Sequence, residues 1–269
     1  MSFQNIPKQH TVTVQDNSKD GCSSSTDPSL PLTTRIPRPQ RAQFLIQPEP
    51  FGHSVYNAPL QFFPTQIPSR RKGLIIAGTH GDETGSVAAL SAALRSMRPE
   101  HLRHDVVLSI NPDGHQLGTR ANANQVDLNR AFPTQNWCKN GTVYRWTTNN
   151  AQRDVNIRTG QEAILEPEIA AIIHLIETRK PHFVVSLHEP LACVDDPEDS
   201  LLGRWLSTRF QLPLVTDIGY DTPGSFGSWC KEQTLPCITL EFPNLSSDQL
   251  TIHYLESLIS LLQYNDKSA

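Results

Sequence analysis

The chain has 269 residues, of which 37% are hydrophobic, and its formal net charge is -4. This length and composition fit a globular protein with a sizeable core. The acidic balance argues against a protein that binds nucleic acid or an anionic membrane, since both functions need a basic face. No apolar run approaches the roughly 20 residues of a membrane helix. The first 30 residues also lack the apolar stretch of a signal peptide. We therefore expect a cytoplasmic protein.

The five cysteines are odd in number and irregularly spaced, at Cys22, Cys138, Cys193, Cys230 and Cys237. No CxxC pair is present, which argues against a structural zinc ribbon. Reduced thiols are the plain expectation for a reducing compartment. The spacing leaves open whether Cys230 and Cys237 pair.

Residues 1–38 are rich in Ser, Thr, Asp and Pro and contain few large apolar groups. Such a segment buries too little surface to offset the entropy of ordering it, so it predicts a flexible polar arm. Residues 39–269 are expected to form a single globular domain.

Short apolar runs predict strands, several of them nearly continuous in apolar character, as in strands covered on both faces: Pro59–Phe63, Gly73–Gly78, Asp105–Ile110, His182–Leu187, Pro213–Thr216 and Cys237–Leu240. Helical spacing follows Glu83, Pro167 and Asp248, and we expect Asp248 to cap the last helix. Asn111-Pro-Asp-Gly114 predicts a turn. The alternation predicts an α/β fold with a mixed, largely parallel central sheet flanked by helices on both faces.

Two histidines and a glutamate stand at the ends of predicted strands, where ligands gather in such folds. His80 and Glu83 follow the run Gly73–Gly78, and His188 follows His182–Leu187. Two imidazoles and one carboxylate leave a fourth position open for water, which is typical of catalytic zinc. Each residue alone also fits an ordinary polar group, and the other eight histidines are interpreted in that way.

Glu241 follows the apolar run Cys237–Leu240. A charge at a buried strand end is costly unless it is paired or solvated. The plain interpretation is a glutamate that emerges onto the surface. Beside a metal site, the same carboxylate would act as the general base of a hydrolase.

The segment from Arg120 to Arg130 is dense in amides and contains two arginines. A solvated loop is one interpretation. In the functional interpretation, Arg130 forms a bidentate contact with a substrate carboxylate, helped by Asn129. Arg120 would then stabilise an oxyanion.

Together these residues resemble the zinc carboxypeptidases. The set occurs in the family's order as His80-Gly-Asp-Glu83, Asn111-Pro-Asp-Gly114, Arg120, Asp127-Leu-Asn-Arg130, His188 and Glu241. The resemblance implies one zinc ion on His80, Glu83 and His188, and it makes Glu241 the base and Arg120 the group that assists the carbonyl. Asn129 and Arg130 would bind the terminal carboxylate.

Within that family, the chain is most similar to members that cleave murein peptides. The segments that carry this likeness are Gly78–Glu83, Arg120–Asn124, Val126–Arg130, Thr142–Trp146, Pro190–Cys193 and Thr222–Cys230. It implies a small peptide substrate, L-Ala-γ-D-Glu-meso-diaminopimelate, which is cut before diaminopimelate during cell-wall recycling. The family also has a mobile loop tyrosine before the base, a role that Tyr220 could fill, and a partly buried loop residue is an equal alternative. Asp195 or Asp196 would suit the second ammonium group of diaminopimelate.

Two other functions compete with this prediction. An N-acyl amino acid deacylase of the aspartoacylase type carries a similar HGxE motif and Asp-Leu-Asn-Arg stretch. A non-catalytic murein-peptide sensor would use the same scaffold, but we would expect it to lack a zinc ligand or the base. The oligomeric state is not decided by the sequence, and a homodimer is among the states that it allows.

Overall fold

The structure is a computed structural model that describes residues 45–69, 71–147, 151–162 and 164–265. The predicted polar arm, residues 1–38, lies outside the described residues. Among the described residues, Cys138, Cys193, Cys230 and Cys237 are free thiols. No helix in the described ranges is long and apolar enough to span a membrane.

An eight-stranded sheet forms the centre of the fold, and its strands are β1 Glu49–His53, β2 Pro59–Phe63, β3 Leu74–Ile76, β4 Asp105–Val107, β7 Val184–His188, β8 Leu191–Asp195, β9 Leu214–Val215 and β10 Cys237–Pro243. Their order across the sheet is β1-β2-β4-β3-β7-β10-β8-β9. The four central strands β4, β3, β7 and β10 are parallel. Strands β1 and β2 are antiparallel, as is β8 against β10. The predicted mixed, largely parallel sheet is confirmed.

A separate two-stranded hairpin is formed by β5 Thr142–Thr147 and β6 Gln152–Ile157. Neither this hairpin nor the strands β1 and β8 is predicted from the sequence. Strands β1, β6 and β8 are partly exposed. None of the four strands has the continuous apolar run by which the central strands are recognised.

The described ranges contain six α-helices: α1 Thr84–Arg95, α2 Pro112–Leu117, α3 Pro167–Arg179, α4 Leu201–Phe210, α5 Phe226–Glu232 and α6 Ser247–Leu262. Side chains on a strand point alternately to opposite faces, and here the alternate residues enter two separate cores. Ile75 and Val185 pack with α1, α4 and α6. Leu74, Ile76 and Val184 pack with α3 and α5. The predicted helices on both faces are confirmed.

Two local predictions are wrong. Asn111–Gly114 is not an isolated turn, because α2 begins at Pro112 and Asn111 caps it by accepting a hydrogen bond from the Gly114 amide at 2.9 Å. Proline suits the first position of a helix, so the same residues serve a helix start. The last helix is capped by Ser246 and not by Asp248, which lies in the first turn. There its carboxylate faces the positive end of the helix.

Candidate metal centre

His80 and Glu83 lie in the connection from β3 to α1, and Glu83 is the N-cap residue of α1. This connection passes close to the backbone of α2. A Cβ atom on Gly81 would lie 2.1 Å from the carbonyl carbon of Gly114, so the approach requires glycine. The Gly81 amide also donates to the Arg120 carbonyl at 3.2 Å. These contacts fix the backbone on which both side chains are carried.

His188 is the last residue of β7, the parallel neighbour of β3. The carboxyl ends of parallel strands meet at one edge of the sheet, and this brings His188 to the β3–α1 connection although it is distant in sequence. His80, Glu83 and His188 are all buried, with exposed fractions of 3%, 7% and 3%.

The three side chains converge on one point. Glu83 lies between the two imidazoles, with Oε1 2.6 Å from Nδ1 of His80 and Oε2 2.9 Å from Nδ1 of His188. One ligand atom from each residue lies within 4.8 Å of the others, and the three form a group that could hold a metal ion. The predicted ligand set is thus assembled in space.

Charge in this pocket favours a cation. Burial raises the pKa of Glu83, but His80 and His188 outweigh it and hold that pKa well below its usual range. Burial and Arg120 lower the pKa of His80, while the carboxylates of Glu83 and Asp127 raise it to about 9. Buried carboxylates that attract a proton onto a neighbouring imidazole also attract a metal ion. The donor set of two nitrogens and one carboxylate suits zinc.

Asp127 is almost fully buried and lies beside the ring nitrogen of His80 that faces away from Glu83. Its Oδ1 lies 3.3 Å from Nε2 of His80, and its Oδ2 accepts from Nε of Arg120 at 3.1 Å. It also caps the 3-10 turn Leu128–Arg130 through the Asn129 amide at 3.0 Å. A carboxylate on the far nitrogen of a ligating histidine fixes its orientation and tautomer. The sequence places Asp127 in a motif but assigns it no role.

Glu241 lies on β10 directly opposite His188 on β7 and opposite Cys193 on β8. Its Oε2 accepts from the Leu191 amide at 3.4 Å. Burial raises the pKa of Glu241, His188 lowers it and Glu83 raises it again, and the net shift is upward. A half-buried carboxylate beside the ligand group is thus present where the sequence predicts a base.

Arg120 reaches the same pocket, where its Nη1 lies 3.5 Å from Oε1 of Glu83. Asn129 accepts a hydrogen bond from the Phe226 amide at 2.9 Å through its side-chain oxygen, which leaves Nδ2 as the donor. Arg130 follows Asn129, and its Nη1 donates to the Asn129 carbonyl at 2.6 Å. Burial lowers the pKa of Arg130.

Tyr220 extends from the loop before α5 and is 54% exposed. Burial raises the pKa of its hydroxyl, and the charges that act on it come from Glu241, Arg130, Arg120 and Asp195. Tyr220 therefore lies close enough to Glu241, Arg130 and Asp195 for their charges to act on its hydroxyl.

The two aspartates proposed for the ammonium group differ in their surroundings. Asp196 accepts hydrogen bonds from the Ser200 amide at 2.7 Å and hydroxyl at 2.6 Å, so it holds the start of α4. Asp195 ends β8, and burial, helped by Glu241 and Asp196, raises its pKa to about 6. A carboxylate surrounded by other carboxylates suits a positively charged group of a ligand.

Two further side chains at the site are missed by the sequence analysis. Glu189 accepts a hydrogen bond from the Ser86 amide at 2.6 Å, and its own amide donates to Oε2 of Glu83 at 3.3 Å. Tyr144 places its ring over the guanidinium of Arg120, 5.6 Å from Cζ to the ring centroid. Its segment, Thr142–Trp146, is singled out only as part of a family likeness.

Comparisons with known proteins identify the family. The model of the family described as zinc carboxypeptidase matches residues 40–190. The chain belongs to the zinc carboxypeptidase family. The matched range includes the candidate ligands His80, Glu83 and His188, whereas Glu241 lies beyond it.

Curated relatives in this family are similar over most of the chain. Murein peptide amidase A of Vibrio campbellii is 60% identical over 230 residues, which cover 86% of this chain and 93% of the relative. The Escherichia coli protein of the same name is 52% identical over 238 residues, covering 88% and 98%.

Solved structures show the same fold. The crystal structure of murein-tripeptide amidase from Escherichia coli O157 matches with a TM-score of 0.84 at 52% identity and covers 88% of this chain and all of that one. Bovine thrombin-activatable fibrinolysis inhibitor matches with a TM-score of 0.64 at 17% identity, covering 81% and 88%, and supports the fold alone.

Proposed function

We propose that this chain is a zinc-dependent amidase that cleaves the bond between γ-D-glutamate and meso-diaminopimelate in the murein tripeptide L-Ala-γ-D-Glu-meso-diaminopimelate. The observation that carries the proposal is the convergence of His80, Glu83 and His188 beside Glu241 on the next strand. The names of relatives at 52% and 60% identity support the substrate class. Cell-wall recycling in the cytoplasm is the setting that we propose.

One zinc ion per chain is proposed at His80, Glu83 and His188, with Asp127 orienting His80. When bound, zinc supplies Lewis acidity, which polarises the scissile carbonyl and makes water more acidic. Because one ligand atom from each of the three residues already lies within 4.8 Å of the others, the set needs no large movement to bind an ion.

Glu241 is proposed as the general base. Its carboxylate takes a proton from the attacking water and passes it to the diaminopimelate nitrogen as the carbon–nitrogen bond breaks, which restores the carboxylate. Burial of Glu241 favours the protonated form and so assists the first transfer.

Arg120 donates to the carbonyl oxygen of the scissile bond as negative charge develops there. Asn129 and Arg130 bind the carboxylate of diaminopimelate next to the scissile bond, where the planar guanidinium matches two oxygens at once. The side-chain oxygen of Asn129 accepts a hydrogen bond from the Phe226 amide, so the Nδ2 group of Asn129 is the one that can donate to the carboxylate.

Diaminopimelate carries a second ammonium and a second carboxylate at its far end. Asp195 is proposed to pair with the ammonium, because the charges that raise its pKa come from other carboxylates, those of Glu241, Asp196 and Asp217. Tyr220 would close the rim of the cleft over the bound peptide.

The experiment is an end-point assay by mass spectrometry. Purified, zinc-loaded protein is incubated with the tripeptide, and free diaminopimelate and L-Ala-D-Glu are measured with and without a chelator, then after zinc is restored. A tripeptide joined through the α-carboxyl of D-glutamate is the control for linkage. N-acetylaspartate, the substrate expected for the rival deacylase, is run in parallel.

Release that stops with the chelator and returns with zinc is the expected result. Hydrolysis of N-acetylaspartate without release from the tripeptide would reverse the assignment in favour of a deacylase. No release from any of these compounds, with zinc present at one ion per chain, would reject the murein substrate.

A further inference from the structure

We propose that Tyr144 is a positioning residue that holds the guanidinium of Arg120 against the metal centre. The inference rests on the proposed function, in which Arg120 binds the carbonyl oxygen of the substrate. It assigns a catalytic purpose to the hairpin β5–β6, which lies outside the main sheet.

The hairpin turns one face towards the domain. Tyr144 pairs with Val155, and Thr142 pairs with Ile157, so these four side chains share a face. Ile157 is buried, whereas Asn156 on the opposite face is exposed. The shared face is thus the inner one, and Tyr144 extends from it to the pocket.

Arg120 contacts two carboxylates and one aromatic ring. Asp127 accepts from Nε at 3.1 Å, and Glu83 lies 3.5 Å from Nη1. Cζ of Arg120 lies over the ring of Tyr144, 5.6 Å from the ring centroid, within the range of a cation–π contact. The two carboxylates define where the guanidinium lies, and the ring restricts its movement away from that position.

The hydroxyl of Tyr144 lies near Asp82, in the connection that carries the candidate ligands His80 and Glu83. Burial and the carboxylate of Asp82 raise the pKa of this hydroxyl to about 12. The side chain that lies against Arg120 therefore also approaches the β3–α1 connection. An arginine that binds a developing oxyanion gains from this restraint, because catalysis depends on groups held in place before the reaction.

The test compares Tyr144→Leu, which removes the ring, with Tyr144→Phe, which keeps it. A cation–π contact of ordinary strength predicts a kcat for Tyr144→Leu that is roughly 2- to 30-fold lower, with KM little changed. Tyr144→Phe should stay much nearer to the wild type. Asn156→Ala, on the outer face of the same hairpin, is the matched control and should not change kcat.

Two readouts separate positioning from a general packing role. In an Arg120→Lys background, Tyr144→Leu should lower kcat little or not at all, because the planar group that contacts the ring is gone. Phenylglyoxal labelling of Arg120, followed by peptide mass mapping, should be several-fold faster in Tyr144→Leu than in Tyr144→Phe or Asn156→Ala.

An equal loss in both Arg120 and Lys backgrounds, or unchanged labelling of Arg120 in Tyr144→Leu, would overturn the inference. Labelling needs no turnover, so it tests the contact even with an enzyme that fails to cleave the tripeptide. Failure of wild-type turnover would count against the proposed function, whereas unchanged labelling would count against the role of Tyr144.

Discussion

Replacing His104 by asparagine should remove part of the sensitivity of the fold to acid. His104 is buried just before β4, and its Nδ1 accepts a hydrogen bond from the Gly73 amide at 2.9 Å. Gly73 leads into β3, the strand that carries the chain to His80. A proton on Nδ1 would set two donors against each other, so the folded state requires the neutral ring.

The magnitude follows from the pKa. Burial lowers the pKa of His104 from 6.5 to about 4, with a smaller opposing effect from a hydrogen bond to the Tyr264 backbone. The unfolded chain takes up a proton as the pH falls below 6.5, and the folded chain does so only near 4. Stability is therefore intact above pH 6.5 and is lost as the pH falls. The loss amounts to roughly 2 kcal/mol at pH 5 and about 3 kcal/mol below pH 4.

The assay is urea unfolding from pH 7 to pH 5 in the presence of a chelator, with the free energy of unfolding extrapolated to water. Asparagine offers an oxygen near the position of Nδ1 and cannot titrate. It should lower stability at every pH through lost packing, but the change between pH 7 and pH 5 should be roughly 2 kcal/mol smaller than in the wild type. His253→Asn on exposed α6 is the control. Parallel losses in the wild type and His104→Asn would refute the reasoning.

Three further predictions concern the site. Glu241→Gln should retain zinc by elemental analysis yet lose roughly 10²- to 10⁴-fold in kcat, the range for a general base. Glu100→Gln, a control in an exposed turn, should keep activity. A near-native rate in Glu241→Gln would contradict its assignment as the base. Asp127→Asn should weaken zinc binding by roughly 10- to 100-fold in competition with a chelator, and an unchanged affinity would show that its contact with His80 is unimportant. Asp195→Asn should raise the melting temperature above pH 6 but not near pH 4. The folded chain raises the pKa of this carboxyl from 3.8 to about 6, so the free-energy cost of its charge builds up as the pH rises to 6. The same variant should raise KM for the tripeptide, and loss of stability at pH 7 would contradict the assigned charge environment.

The central strands and the main helices could be predicted because each carries a local signal. Pro59–Phe63 is found with the predicted bounds, and helices follow Glu83 and Pro167 as expected. Strands such as β8 depend on pairing with β10, and their partly exposed residues have no apolar run of their own. Caps depend on which polar side chain reaches the first amides, and for α6 this is Ser246.

The candidate ligands were accessible to sequence reasoning because metal chemistry restricts the residue types and parallel strands restrict where they end. His80 and Glu83 follow β3 and His188 ends β7, whereas Glu241, predicted to follow its strand, lies within β10. The roles of Arg120, Asn129 and Arg130 were one of two interpretations of an amide-rich segment, which the family resemblance then favoured, and they stay predictions.

The sequence by itself thus determined the layered α/β fold and the residues that can hold a metal, because both depend on local patterns of apolar and donor side chains. The tertiary structure alone decided that Asp127 lies behind His80, that Asp196 is used to hold α4, and that Tyr144 covers Arg120. The contacts of Asp127 with His80 and of Tyr144 with Arg120 join segments that are distant in sequence, and strand order and close backbone approach bring them together only once the chain is folded. Asp196 and Ser200 are close in sequence, but their segment has no pattern that predicts the contact.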